Sequence, residues 1–139
     1  MQRGRLRAAG TAALILSLTG FAAHEAAGLG AATTVRVTEK EFTLKSVPAS
    51  AKPGKVTFVV RNAGKLDHEF VIVKTNRAPA KLPLKGNKAS EAGRVGKIPP
   101  FKPGKTKRIA LSLKAGKYVL FCNVAGHYKL GQRAGFRVG

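Results

Sequence analysis

Beyond residue 32, apolar and polar residues alternate in short runs separated by Gly, Pro and Asn. Thr33–Glu39 puts Val35 and Val37 on one face and Arg36 and Thr38 on the other, the period of a half-buried strand. Phe42–Leu44 reads as a continuation of an extended segment. Lys52-Pro53-Gly54-Lys55 is a turn, and Val56–Arg61 after it is rich in β-branched and aromatic residues. Asn62-Ala63-Gly64 ends that run, and His68–Lys74 is the next strand. A second turn of the same kind, Lys102-Pro103-Gly104-Lys105, leads into Thr106–Lys114. Lys117–Cys122 and Arg133–Val138 complete the set. Short strands at regular spacing predict an all-β domain, a sandwich or a barrel. Thr75–Phe101 breaks the pattern: it holds Pro79, Pro83, Pro99 and Pro100 and few apolar residues. It reads as a long connection with at most one short helix, of the kind that is often functional.

The first 32 residues have a different character. Arg3, Arg5 and Arg7 precede an apolar run, Ala8–Ala23, and small residues follow through Ala32. Charge, apolar core and small-residue zone in that order describe a secretory signal. The run is shorter than the roughly 20 residues of a spanning helix; an uncleaved anchor is the other reading. The expected division is a leader at 1–32 and one small domain at 33–139, exported to a periplasmic or extracellular space.

Charge narrows the partners. The chain carries 26 Lys+Arg against 6 Asp+Glu. Without the leader, 23 basic and 5 acidic residues remain, spread from Arg36 to Arg137. Such a surface attracts anionic partners: an acidic redox protein, lipid headgroups or cell-envelope polymers. Nucleic acid is disfavoured by export and by the scarcity of aromatics among the basic residues. Most of these lysines read as a solvated outer face of a monomer.

The candidate chemistry lies in Cys122-Asn123-Val124-Ala125-Gly126-His127-Tyr128-Lys129-Leu130-Gly131-Gln132. Cys122 is the only cysteine, and of three histidines His24 falls in the leader. That leaves His68, Cys122 and His127. A lone thiol in an oxidising compartment is a liability unless buried or ligated. Strand alternation puts His68 on the face of Phe70 and Ile72, and Cys122 on the face of Tyr118 and Leu120. If those faces line the core, both residues point inward at strand ends, and His127 returns from the loop beside Gly126. Two imidazoles and a thiolate form the equatorial set of a mononuclear electron-transfer copper site. Zinc wants four strong ligands, or three and a water. The only methionine is Met1, so an axial thioether is excluded once the leader is removed. Gln132, through its side-chain oxygen, is the axial candidate; a backbone carbonyl or no ligand is the alternative. A harder oxygen donor favours Cu(II) and a lower potential.

These elements resemble the cupredoxins, the small blue copper proteins. The resemblance runs from about Val35 to the end and rests on Asn62 and Gly64 before His68-Glu69-Phe70, the Pro-Gly-Lys strand entries, and the Cys122, His127 and Gln132 spacing. Gln in place of Met resembles stellacyanin-type sites. The resemblance implies a Greek-key β-sandwich of about seven to eight strands, one copper ion and one-electron transfer rather than an enzyme. It also implies that His127 is an electron exit inside an apolar patch, with Gly64, Ala125, Gly126, Tyr128 and Leu130 as candidates.

Other readings use the same residues. Copper delivery or storage needs the same ligands, although Met- or His-rich tracts are missing. A thiol enzyme lacks a clearly placed Asn or Asp to orient the histidine. A copper oxidase or nitrite reductase needs more histidines, and c-type haem needs a second cysteine. A metal-free sandwich binding anionic surfaces would leave the Cys/His pattern accidental.

Overall fold

The computed structural model describes residues 30–139. Residues 1–29, which hold nearly all of the expected leader, lie outside the described residues. Among the described residues, no helix is long and apolar enough to cross a membrane.

The strands are β1 (Thr33–Lys40), β2 (Thr43–Val47), β3 (Ser50–Ala51), β4 (Gly54–Asn62), β5 (His68–Lys74), β6 (Leu84–Lys85), β7 (Lys88–Ala89), β8 (Arg94–Phe101), β9 (Thr106–Leu113), β10 (Gly116–Phe121) and β11 (Arg133–Val138). Two sheets face each other, in the orders β2-β1-β4-β9 and β3-β11-β10-β5-β8; β6 and β7 form a separate small hairpin. β1 with β4 and β3 with β11 are parallel, and the other pairs are antiparallel. The expected all-β sandwich is present, and eight of the described strands have five or more residues.

Alternation decides what fills the sandwich. Val35 and Val37 of β1, Val56, Phe58 and Val60 of β4, Phe70 and Ile72 of β5, and Leu120 of β10 all lie in one core. Phe58 packs on Phe70 and Phe136 with ring centroids 5.5 and 5.4 Å apart. Burying a side chain of this kind stabilises by about 1.5–3 kcal/mol. β5 is buried on both faces. Its Val71 and Val73 belong to a second cluster with Leu82, Ala89, Val119, Phe121 and Tyr128. That cluster sits beneath the segment after β5, which covers the outside of the sheet.

Two sequence expectations need correction. Thr75–Phe101 is not one connection, because its last eight residues form β8, paired with β5. Pro99 and Pro100 hid this strand. Proline is tolerated on a sheet edge, where its missing N–H costs no ladder bond, and β8 is the edge of its sheet. The rest of the segment holds one 3₁₀ turn, Pro79–Lys81, and the β6–β7 hairpin. Nor does the chain run straight through residue 42: it turns at Glu41-Phe42, so β2 folds back antiparallel on β1.

Candidate metal centre

Local hydrogen bonds deliver each donor to one end of the sandwich. Asn62, fully buried at the end of β4, organises the loop before β5. Its Nδ2 donates to the carbonyls of Leu66 and Phe101 at 2.8 and 3.0 Å, and its Oδ1 accepts from the Gly64 N–H at 3.0 Å. That loop ends in His68, the first residue of β5. Cys122 directly follows β10. The loop after it folds back in tight turns, with the His127 N–H on the Val124 carbonyl and the Gln132 N–H on the His127 carbonyl. The Cys122 N–H closes the loop on the Gln132 carbonyl at 3.1 Å. Gly126 and Gly131 take φ of 87° and 118° there, a region costly for residues with a Cβ. The Asn123 side chain ties the loop to β7, accepting from the Ala89 N–H at 2.8 Å and donating to its carbonyl at 3.0 Å.

His68, Cys122 and His127 converge. The two Nδ1 atoms are 3.2 Å apart, and the Cys122 Sγ lies 3.8 Å from that of His68 and 3.4 Å from that of His127. All three residues are buried. A trigonal ion with bonds of about 2.0 Å to nitrogen and 2.3 Å to sulfur would hold its donors about 3.5 and 3.7 Å apart. The donor triangle therefore fits one small metal ion. Burial lowers the pKa of both histidines, and the neighbouring His68 adds to the effect on His127. Neutral imidazoles keep the lone pairs a metal needs. Burial pushes the Cys122 thiol up to about 12, although the Glu69 N–H donates to its sulfur at 3.4 Å. Reactive thiols sit in electropositive surroundings that lower their pKa. This one has the opposite setting, which argues against a free nucleophile; a cation held between the three donors would offset the cost of the buried thiolate.

No family model matches the chain. Solved structures do. Auracyanin from Roseiflexus castenholzii superposes with a TM-score of 0.59 at 21% identity, over 79% of this chain and 99% of that one. Auracyanin A, a "blue" copper protein from Chloroflexus aurantiacus, gives 0.60 at 21% identity, over 78% and 99%. Rusticyanin from Thiobacillus ferrooxidans gives 0.53 at 20% identity, over 77% and 78%.

The chain has the cupredoxin fold.

A curated relative, the copper-resistant cuproprotein CopI of Vibrio cholerae, is 36% identical over 80 residues. The match covers 55% of this chain and 46% of that protein, so this chain spans about half the length of the relative.

The fourth sequence candidate, Gln132, lies on the same loop of this cupredoxin fold. Its side chain is fully buried, and neither amide atom makes a hydrogen bond of good geometry among the described residues, although the amide faces the Glu39 carboxyl. Leaving a buried polar group unpaired costs about 1–3 kcal/mol. Beside it is Glu39, which the sequence reading missed. Glu39 is fully buried at the inner end of β1, and neither carboxyl oxygen has a partner of good geometry. Burial raises its pKa to about 8; the Gln132 amide opposes the rise and the Glu69 charge adds to it. At neutral pH this carboxyl is mostly protonated. The signal was present: Glu39 is in phase with Val35 and Val37, an acid on a core-facing stripe.

The β1–β2 turn was missed as well. Oε1 of Glu41 approaches Nε2 of His68 to 3.0 Å, off the N–H axis, so the contact is a close charge approach rather than a linear hydrogen bond. The Phe42 ring meets His127 edge-on, with centroids 5.1 Å apart. Of the patch candidates, Ala125 and Leu130 are exposed and Gly64 and Gly126 are half-buried. Tyr128 is not part of the patch. It is 3% exposed, and its hydroxyl accepts from the Leu82 N–H and donates to the Pro79 carbonyl, holding the outer cluster against the sheet.

Proposed function

We propose that this chain is an exported carrier of single electrons that holds one copper ion through His68, Cys122 and His127, with Gln132 axial. The single observation that carries the reading is the donor triangle, three buried soft and borderline ligands at the spacing of one trigonal ion. Copper bound there supplies a one-electron Cu(I)/Cu(II) couple. The protein holds the donors in place from two strands and one short loop, so little needs to move when charge changes. The unpartnered Gln132 amide supports an axial oxygen. His127, 7% exposed between Ala125, Gly126 and Leu130, is the route by which the electron leaves. The functional unit is residues 33–139, and residues 1–32 direct export. The basic surface selects a redox partner with acidic docking residues, or an anionic envelope surface.

Full-length protein titrated with Cu(II) and followed by visible absorption and EPR tests this reading. An intense thiolate-to-copper band with narrow copper hyperfine splitting is expected. Ordinary tetragonal copper spectra, or no binding, would discard it. The axial assignment has its own test, because a thioether favours Cu(I) where an amide oxygen favours Cu(II). Gln132→Met should raise the reduction potential in protein-film voltammetry by at least one tenfold step in relative Cu(I) affinity, about 59 mV. An unchanged or lower potential would sink the assignment.

Copper delivery or storage is the second reading. The likeness to a copper-resistant cuproprotein favours it. Rapid loss of copper to a competing chelator, with slow electron self-exchange, would select it over electron transfer.

A further inference from the structure

We propose that Glu41 is a positioning residue of the metal centre: its carboxylate holds the proton of His68 on Nε2, leaves Nδ1 bare toward Cys122 and His127, and biases the site toward the more highly charged ion. The second half of the statement rests on the copper reading above; the first half does not.

A neutral imidazole carries one N–H and one lone pair, and the partner of one nitrogen decides which is which. The two nitrogens of His68 face different groups. Nδ1 lies 3.2 Å from the His127 Nδ1 and 3.8 Å from the Cys122 Sγ. Nε2 lies 3.0 Å from the Glu41 Oε1. A carboxylate beside Nε2 favours the proton there, the only arrangement that presents a lone pair to the other donors. It also makes the imidazole a stronger base, as carboxylates behind metal-bound histidines do. A stronger donor holds Cu(II) more tightly than Cu(I).

The carboxylate is built in rather than passing by. Oε1 and Oε2 accept from the Lys65 N–H at 2.9 and 3.1 Å, and Oε1 accepts from the Leu66 N–H at 2.8 Å. Those amides belong to the loop that delivers His68, so one carboxylate holds both the loop and the ring. Gly64 makes room for it: a Cβ there would lie 2.3 Å from the Glu41 Oε1. Asp67 pairs with Lys102, and Glu91 with Arg94 and Lys97. Among the described residues, no Lys or Arg side chain pairs with Glu41, despite the basic surface.

Glu41→Gln keeps an oxygen for the two amides and removes the charge. In the full-length chain, Cu(II) affinity measured by chelator competition should fall about 10–100-fold. Cu(I) affinity should change less, so the potential rises by about 59 mV for each tenfold difference between the two states. Nitrogen-15 NMR should show His68 protonated at Nε2 in the metal-free wild type and a tautomer mixture in the variant. Gly64→Ala should reproduce these changes by evicting the carboxylate. Asp67→Asn, which removes an equal charge nearby, should reproduce none of them. Wild-type tautomer and an unchanged Cu(II)/Cu(I) ratio in Glu41→Gln would overturn the proposal, as would Asp67→Asn matching it. If the wild type binds no copper, the copper reading fails, and the His68 tautomer in metal-free wild type and Glu41→Gln still decides whether Glu41 sets it.

Discussion

Cys122→Ser should leave the sandwich folded and remove completely the thiolate-to-copper band expected of the copper-loaded protein. The substitution exchanges one small buried group for another. A serine hydroxyl can accept the Glu69 N–H that now reaches the sulfur, so the change in unfolding free energy should stay within about 3 kcal/mol. The electronic consequence is total, because an intense low-energy band requires a thiolate bound to copper, and Cys122 is the only sulfur at the cluster. A hydroxyl in this apolar setting does not ionise near neutral pH. His68 and His127 would be left as a two-nitrogen site with the wide hyperfine splitting of ordinary Cu(II). The checks are an absorption spectrum, an EPR spectrum and a thermal melt of the same sample. A persistent intense band in a folded variant would place the metal elsewhere.

Metal-free protein should be penalised by Glu39 as pH rises from about 4.5 to about 8, and Glu39→Gln should abolish that penalty. Burial raises this carboxyl to about 8 in the folded state against 4.5 for an unperturbed glutamate. Between those values the folded chain holds a proton that the unfolded chain has released. Stability falls with pH wherever the folded state binds more protons. The slope is about 1.36 kcal/mol per pH unit, a few kcal/mol across the window, and above about pH 8 the loss levels off. His68 and His127 pull the other way. Their folded pKa values are lowered, so they contribute stability that is lost as pH falls below about 6.5. The wild-type curve mixes these trends, and the difference between variant and wild type isolates Glu39. Urea midpoints at pH 5, 6.5 and 8 should favour Glu39→Gln increasingly with pH. A constant difference would mean that Glu39 is charged, or neutral, in both states throughout.

These expectations also mark where sequence reasoning reached. Cys122, His127 and Gln132 fall within eleven residues, and period-two alternation placed His68 and Cys122 on the inward faces of their strands. Both signals are local; the structure gathers His68, Cys122 and His127 into one buried cluster. Arg94–Phe101 was misread because its prolines argue against a strand unless it lies on a sheet edge, and edge position is a property of the whole sheet. Tyr128 was a candidate for the apolar patch around His127 only through the resemblance. Its burial depends on Leu82 and Ala89, from the segment after β5. Glu39 was legible in principle, since it continues the stripe of Val35 and Val37.

Beyond residue 32 the chain by itself determined the chemistry available: one thiol, two imidazoles and an amide, with alternation setting the inward side for His68 at the start of one strand and Cys122 just past the end of another. It also determined the β class, because strand periodicity and turn residues act over a few positions. Only the tertiary structure decided what surrounds those donors. Glu41 and Phe42 reach His68 and His127 because β2 folds back on β1, across separations of 27 and 85 residues in the sequence. Glu39, near the end of β1, meets Gln132, just before β11, because the two sheets that hold those strands face each other. Such contacts follow from which strands become neighbours, and strand pairing is a non-local outcome that no local pattern encodes.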